Sequence, residues 1–198
     1  MAKRWSSNVW EGGKVRLRAY EEADLETMFR HQQDTEIARR DYMIELPYSR
    51  IAFEKSITRK ADTESDNRQL VIETLDGTLI GGFAIGETNL RFGTFCIGLG
   101  LAERSEWGKG YAKEAILLAL RYMFHEANYQ KCNLGVYSFN TRAIAVYQHI
   151  GFAEEGRIRR AYFSSGRYYD EVRMGITREE FDAKYPDWRI LLEGEEEG

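Results

Sequence analysis

Residues 105–115 read SEWGKGYAKEA: two glycines, Gly108 and Gly110, stand directly ahead of a run of helix formers. Glycine weakens a helix interior. Its place at the threshold of a helix marks either an ordinary turn or a loop whose backbone must come close to a ligand. The N–H groups that open a helix have no partner inside it, and they carry the positive end of its dipole. A glycine loop feeding such an end suits an anion, a phosphate above all. Two familiar phosphate loops do not fit. A P-loop would continue from Gly-Lys to Ser or Thr, but Lys109 is followed by Gly110. The dinucleotide fingerprint needs glycine or alanine where Lys113 stands, inside a parallel strand–helix–strand unit.

Outward from this loop, hydrophobic periodicity divides the chain. KVRLRAY alternates Val15 and Leu17 with basic residues, as a half-buried strand does. EEADLETMFRHQ and YSRIAFEKSITRK read as amphipathic helices, the first with Leu25, Met28 and Phe29 inward. RQLVIETLDGTLIGGFAIGE holds two strands joined at Asp76-Gly77, a strong hairpin signal, and GTFCIGLGL is a further strand. YAKEAILLALRYMFHEA is the longest helix, apolar at Ala115, Leu118, Ala119, Tyr122 and Met123. CNLGVY reads as a strand and TRAIAVYQHI as a short helix; GRIRRAYF and RYYDEVRMGI close the chain as two strands around SSGR. Seven strands and four helices in this order predict one mixed α/β domain of the α+β kind, largely antiparallel. Its bounds are residues 13–186, between a flexible N-terminus at 1–12 and an acidic tail at 187–198.

Composition narrows the partners. The chain has 198 residues, 43% of them hydrophobic, and only two prolines, which is a packed globular composition. No run approaches the roughly 18 apolar residues of a membrane span. The opening MAKRWSSNVWEGG has no apolar leader core, so cytoplasmic residence is expected. A net charge of −4 speaks against nucleic acid or a membrane surface as partner. Cys96 and Cys132 read as small buried hydrophobes, and His31, His125 and His149 share no metal-ligand spacing, so no metal is expected. No Ser or Cys sits in a nucleophile elbow. Arg157, Arg159, Arg160 and Arg167 form a basic patch that reads either as a solvated strand face or as a contact for ribosomal RNA or an acidic protein.

About thirty residues after the glycine loop comes NTRAIAVYQHIGF, residues 140–152. With WGKGYAKEA, in this order and separation, it resembles the GNAT superfamily of acetyl-CoA-dependent N-acetyltransferases. The narrower likeness is to the branch holding ribosomal-protein N-terminal acetyltransferases and bacterial spermidine acetyltransferases. KVRLRAYEEADL and FSSGRYYDEVRMGI resemble the same branch, so the likeness runs from about Lys14 to about Tyr185.

The resemblance implies a sheet splayed between its fourth and fifth strands to admit the pantetheine arm, with the backbone of CIGLGL, at Leu99 and Leu101, facing the thioester. Trp107, Gly108, Lys109, Gly110, Tyr111 and Ala112 fall on the family's pyrophosphate signature, with Trp107 where Gln or Arg is usual. Asn140 falls on the position that bonds the pantetheine, and is equally a good helix N-cap. Arg142 is implied either at the CoA phosphates or in solvent. Tyr147 is implied as the acid that protonates the departing thiolate; otherwise it packs on the sheet. The family's fourth-strand Glu is absent, and Glu87 is the nearest substitute. Asp41 and Glu45 lie where this branch shapes its acceptor pocket, with Leu46 in place of a second acid typical of polyamine enzymes. The expectation is acetyl transfer from acetyl-CoA, the cosubstrate, to a primary amine of a protein N-terminus or small molecule, by direct attack. A polyamine N-acetyltransferase is the alternative within the class. A catalytically silent CoA- or ligand-binding module is the alternative outside it, and a homo-oligomer is allowed.

Overall fold

The structure, a computed structural model, describes residues 8–35, 38, 44, 46–47, 49–61 and 68–186. Its strands are β1 (Val15–Arg18), β2 (Arg68–Thr74), β3 (Leu79–Asn89), β4 (Thr94–Leu101), β5 (Lys131–Tyr137), β6 (Ala153–Ser164) and β7 (Arg167–Thr177). They form one sheet in the order β1-β2-β3-β4-β5-β7-β6. Only β4 and β5 pair in parallel; every other neighbour is antiparallel. The expected mixed sheet of seven strands is therefore present.

The helices described are α1 (Leu25–Gln32), α2 (Arg50–Ala61), α3 (Tyr111–Arg121), α4 (Thr141–Ile150) and α5 (Arg178–Lys184). The sequence reading expected four. α5 has only seven residues, too few for a convincing apolar period. Its start is nevertheless signposted: Thr177 accepts from Glu180 N–H at 3.3 Å, and the Glu180 carboxylate accepts from Thr177 N–H at 2.8 Å. That reciprocal capping box was legible in TREE.

α3 was expected to bury one stripe. It is instead buried at every position from Ala115 to Arg121, and a π-helical turn at Tyr122–Glu126 extends it. On this side of the sheet Phe124 meets both Phe95 of β4 and Phe181 of α5 with ring centroids 5.6 Å apart. α1 and α2 pack on one another through Phe29 and Phe53, 5.4 Å apart.

Two clamps fix the N-terminal strand. The Glu114 carboxylate, in the first turn of α3, accepts from the backbone N–H groups of Gly13, Lys14 and Val15 at 3.1, 2.7 and 2.9 Å. Residues 8–12, expected to be flexible, are packed. The Trp10 ring lies 4.4 Å from that of Tyr122, and Arg121 donates to the carbonyl of Asn8. A large aromatic with a ring to bury was the reason. Residues 1–7 and the acidic tail from 187 lie outside the described residues.

The second clamp is a charge network. Arg18 grips Asp24 with both terminal nitrogens, at 2.7 and 2.8 Å, and donates from Nε to Glu73 at 2.8 Å. Arg16 also bonds Glu73. The Arg18 guanidinium holds the Asp24 carboxyl below the usual range. Burial opposes ionisation of Glu73, but its bonds from Arg18 and Arg16 outweigh burial and lower it too. Depressed carboxylates contribute stability above their unfolded pKa and lose it as pH falls through the folded value. Asp24→Asn should therefore cost roughly 1–3 kcal/mol at pH 7. The gap from the parent in urea melts should narrow as pH drops below 3.8, the ordinary value for Asp.

Candidate active site

β4 and β5 pair only at Thr94 with Lys131, Phe95 with Cys132 and Cys96 with Asn133. Beyond that point β4 continues on β3 as far as Leu101, while β5 continues on β7 as far as Tyr137. The strands part, and the expected splay opens between them. Ala102 N–H donates to Ile80 across the β3 side at 2.9 Å. By the alternation of an antiparallel ladder, Gly100 and Gly98 also point their backbone groups at β3, so those of Leu101, Leu99 and Ile97 turn toward the gap.

A cleft of about 730 Å³ occupies this opening. Most of the expected residues meet there. Leu99 and Leu101 come from β4, Trp107, Gly108, Gly110, Tyr111 and Ala112 from the loop and first turn of α3, and Asn140, Arg142 and Tyr147 from α4. Lys109 does not line the cleft; its side chain is exposed and pairs with Glu106 at 2.9 Å. Glu87 does not either. It is exposed, at φ +49° in the bulge where β3 slips register against β4, and accepts from the Cys96 thiol at 3.2 Å. The structure therefore does not bring the sequence-based choice of base into the cleft lining. Cys96 itself is half-exposed rather than buried, and burial, then Glu87, pushes its thiol up to about 12. Asp41 and Glu45 lie outside the described residues.

Local geometry explains the loop. Gly108 and Gly110 sit at φ +81° and +88°, where any other residue is strained, and Gly110 is the N-cap of α3. A Cβ on Gly108 would meet nothing within 4 Å; on Gly110 it would meet Lys14 Nζ at 3.4 Å. Lys14 in turn donates to the carbonyl of Lys109 at 2.7 Å, tying the loop to β1. Trp107 has a structural reason to replace a polar side chain. Its indole N–H donates to the Leu101 carbonyl at 3.0 Å, capping a β4 oxygen that the splay deprives of a strand partner. The Arg142 guanidinium lies over the same ring, 4.7 Å from its centroid. On α4, Asn140 is the N-cap: its Oδ1 accepts from Ala143 N–H at 3.1 Å. Tyr147 is buried to 8% exposure, edge-on to Phe152, and lines the cleft.

Sequence reasoning missed two tyrosines of the opposite wall and a carboxylate beside them. Tyr137 at the end of β5 and Tyr162 on β6 stand edge to face with centroids 4.3 Å apart, and both line the cleft. Glu171 pairs with Tyr137 across β5 and β7 and is buried. Burial, and then a hydrogen bond with Glu171, pushes the Tyr162 phenol up to about 12. Only strand register brings these three together, and the run of charges at Asp170, Glu171 and Arg173 gave no sign of which one would be buried.

A glycine loop at a helix N-terminus, a gap between parallel strands lined by their backbone, and a buried tyrosine on the next helix are features that suit a thioester carried on a phosphorylated arm. The comparisons agree. Residues 14–153 match the acetyltransferase (GNAT) domain, and the chain belongs to that family and is an acetyl-CoA-dependent N-acetyltransferase. It is 35% identical over 176 residues to the SPbeta prophage-derived uncharacterized N-acetyltransferase YokL of Bacillus subtilis, covering 89% of this chain and 97% of that one. It is 31% identical over 170 residues to the spermidine N(1)-acetyltransferase of Vibrio cholerae, covering 85% and 95%. The crystal structure of spermidine N-acetyltransferase from Vibrio cholerae in complex with CoA and spermine matches with a TM-score of 0.74 at 29% identity, over 84% of this chain and 97% of that one.

Gly110→Val should strain the N-cap and fill the approach to the helix N-terminus. Calorimetry with CoA should show affinity falling roughly tenfold or more, about 1.4 kcal/mol. Unchanged affinity would remove the loop from the cofactor site.

Proposed function

We propose that this enzyme acetylates a single amino group of a small amine or a protein N-terminus by direct transfer, with Tyr147 as the general acid. One observation carries the reading: the sheet opens where the glycine loop, the gap-facing backbone of β4 and Tyr147 border one cleft. In this reading the pyrophosphate lies on the N–H groups of Gly108 to Ala112, and Asn140 and Arg142 meet the pantetheine and phosphates from α4. The N–H groups of Leu99 and Leu101 polarise the acetyl carbonyl and hold the oxyanion that forms when the amine attacks. The thiolate then leaves by taking the Tyr147 proton, and the phenol suits that task because thiolate is a modest leaving group without one. Cytoplasmic residence goes with this reading, and the free thiols of Cys96 and Cys132 suit a reducing compartment.

A second reading, a polyamine acceptor, is favoured by specific neighbours: the spermidine acetyltransferase relative and the structure holding CoA and spermine. Against a dedicated polyamine site stands Leu46, exposed where a second acid would neutralise a long cation. Thiol release from acetyl-CoA decides between them, measured with spermidine, N-terminal peptides and amino sugars. Turnover of single-amine acceptors above spermidine supports the first reading; efficient spermidine turnover with peptides untouched replaces it with the second. No thiol release with any acceptor, despite CoA binding, would leave a silent module.

Tyr147→Phe keeps the ring against Phe152 and deletes the proton donor. Its kcat should fall about 10²–10⁴-fold, with a melting temperature close to the parent's. Unchanged turnover, with chemistry shown to be rate-limiting, would remove Tyr147 from the role.

A further inference from the structure

β4 carries no carboxylate at the splay and Glu87 lies outside the cleft lining, yet a buried carboxylate, Glu171, lies against the backbone of Gly135, which does line the cleft. Two positions past the last parallel pair, Cys96 with Asn133, β4 carries Gly98 and β5 carries Gly135. They stand level with each other on the two sides of the opening. A Cβ on Gly98 would meet nothing within 4 Å, whereas a Cβ on Gly135 would come within 2.0 Å of Glu171 Oε1. The Glu171 carboxylate therefore lies directly over the β5 backbone at the mouth of the splay, beside open space over β4.

Its two oxygens have different surroundings. Oε2 accepts from Arg173 Nη2 at 3.0 Å, and Arg173 is itself half-exposed. Oε1 is the oxygen over Gly135. Tyr162, at the cleft wall, is a neighbour of this carboxylate, and burial first and Glu171 second push its phenol up to about 12. A carboxylate only 7% exposed is costly to bury, and a cationic amine arriving from the cleft would repay part of that cost.

We propose that Glu171 receives the acceptor's amino group at Oε1, acting as its counter-charge and as the base for the attack. The proposal rests on the N-acetyltransferase reading above. The amine arrives as ammonium and first releases one proton to solvent. Its nitrogen then forms the C–N bond, and the surplus proton on that nitrogen passes to Glu171. The C–S bond breaks, and sulfur takes the proton of Tyr147. Water carries a proton from Glu171 back to Tyr147, so that amine and thioester have become amide and thiol with both side chains restored. This assignment also explains Gly135: any side chain there would displace the carboxylate.

Two variants test it independently, using the most active amine of the acceptor panel. Glu171→Gln keeps the shape but removes the charge, the basicity and the ion pair with Arg173. Its kcat/KM for the amine should fall about 10²–10⁴-fold, while calorimetric affinity for CoA stays near the parent's. Gly135→Ala leaves the carboxylate in the chain but pushes it off its position, and should lower kcat/KM in the same direction even if the first variant fails to fold. Parent-level kcat/KM in a folded Glu171→Gln enzyme, or in Gly135→Ala, overturns the proposal while the acetyltransferase reading stands. A parent inactive on every amine overturns that reading, and the proposal with it.

Discussion

β4 and β5 share three register pairs and then part, and the cleft exists because of where that pairing stops. Backbone donors and acceptors buried without partners are costly, so a fold that opens a sheet must satisfy the groups it uncovers. Here the outer flanks are kept by β3 and β7, and the far carbonyl of β4, at Leu101, is taken by the Trp107 indole. The N–H groups facing the gap are left for a ligand that is polar along its length. The opening is thus a built defect in the sheet, held in shape by neighbours that are fully paired.

A second constraint operates at the N-terminus of α3. An acid in the first turn of a helix normally settles at the positive end of the dipole, where it would compete with an incoming phosphate. Glu114 is such an acid. It is drawn aside by three N–H groups of residues 13–15, so its charge serves the attachment of β1. Lys14, from the same short segment, meanwhile bonds the loop carbonyl at Lys109. The first strand and the glycine loop are parts of one unit, though about a hundred residues of sequence separate them.

What could be read in advance follows the range of the interactions. Gly108 and Gly110 announced the loop because positive φ is a local demand, and Asn140 announced its cap for the same reason. Asp76-Gly77 marked the first hairpin correctly, with Gly77 at φ +91°. The glycine loop, Asn140 and Tyr147 were brought together as the motifs suggested. Glu87 was not: it sits at left-handed φ in a bulge that leaves no sign in composition. Tyr137, Tyr162 and Glu171 were invisible for a different reason: their meeting depends on the register of three strands. The packing of Trp10 on Tyr122 had no sequence sign, because about a hundred residues separate the two rings.

Trp107 also joins the two rims of the cleft. Its indole N–H is fixed to the end of β4, and its ring face carries Arg142 from α4. A mouth braced in this way has its width set during folding. A ligand threading into it meets walls already spaced, so little conformational entropy remains to be lost on arrival, and more of each contact is retained as affinity. Trp107 thus ties the end of β4 to the first turn of α4 across the mouth of the cleft.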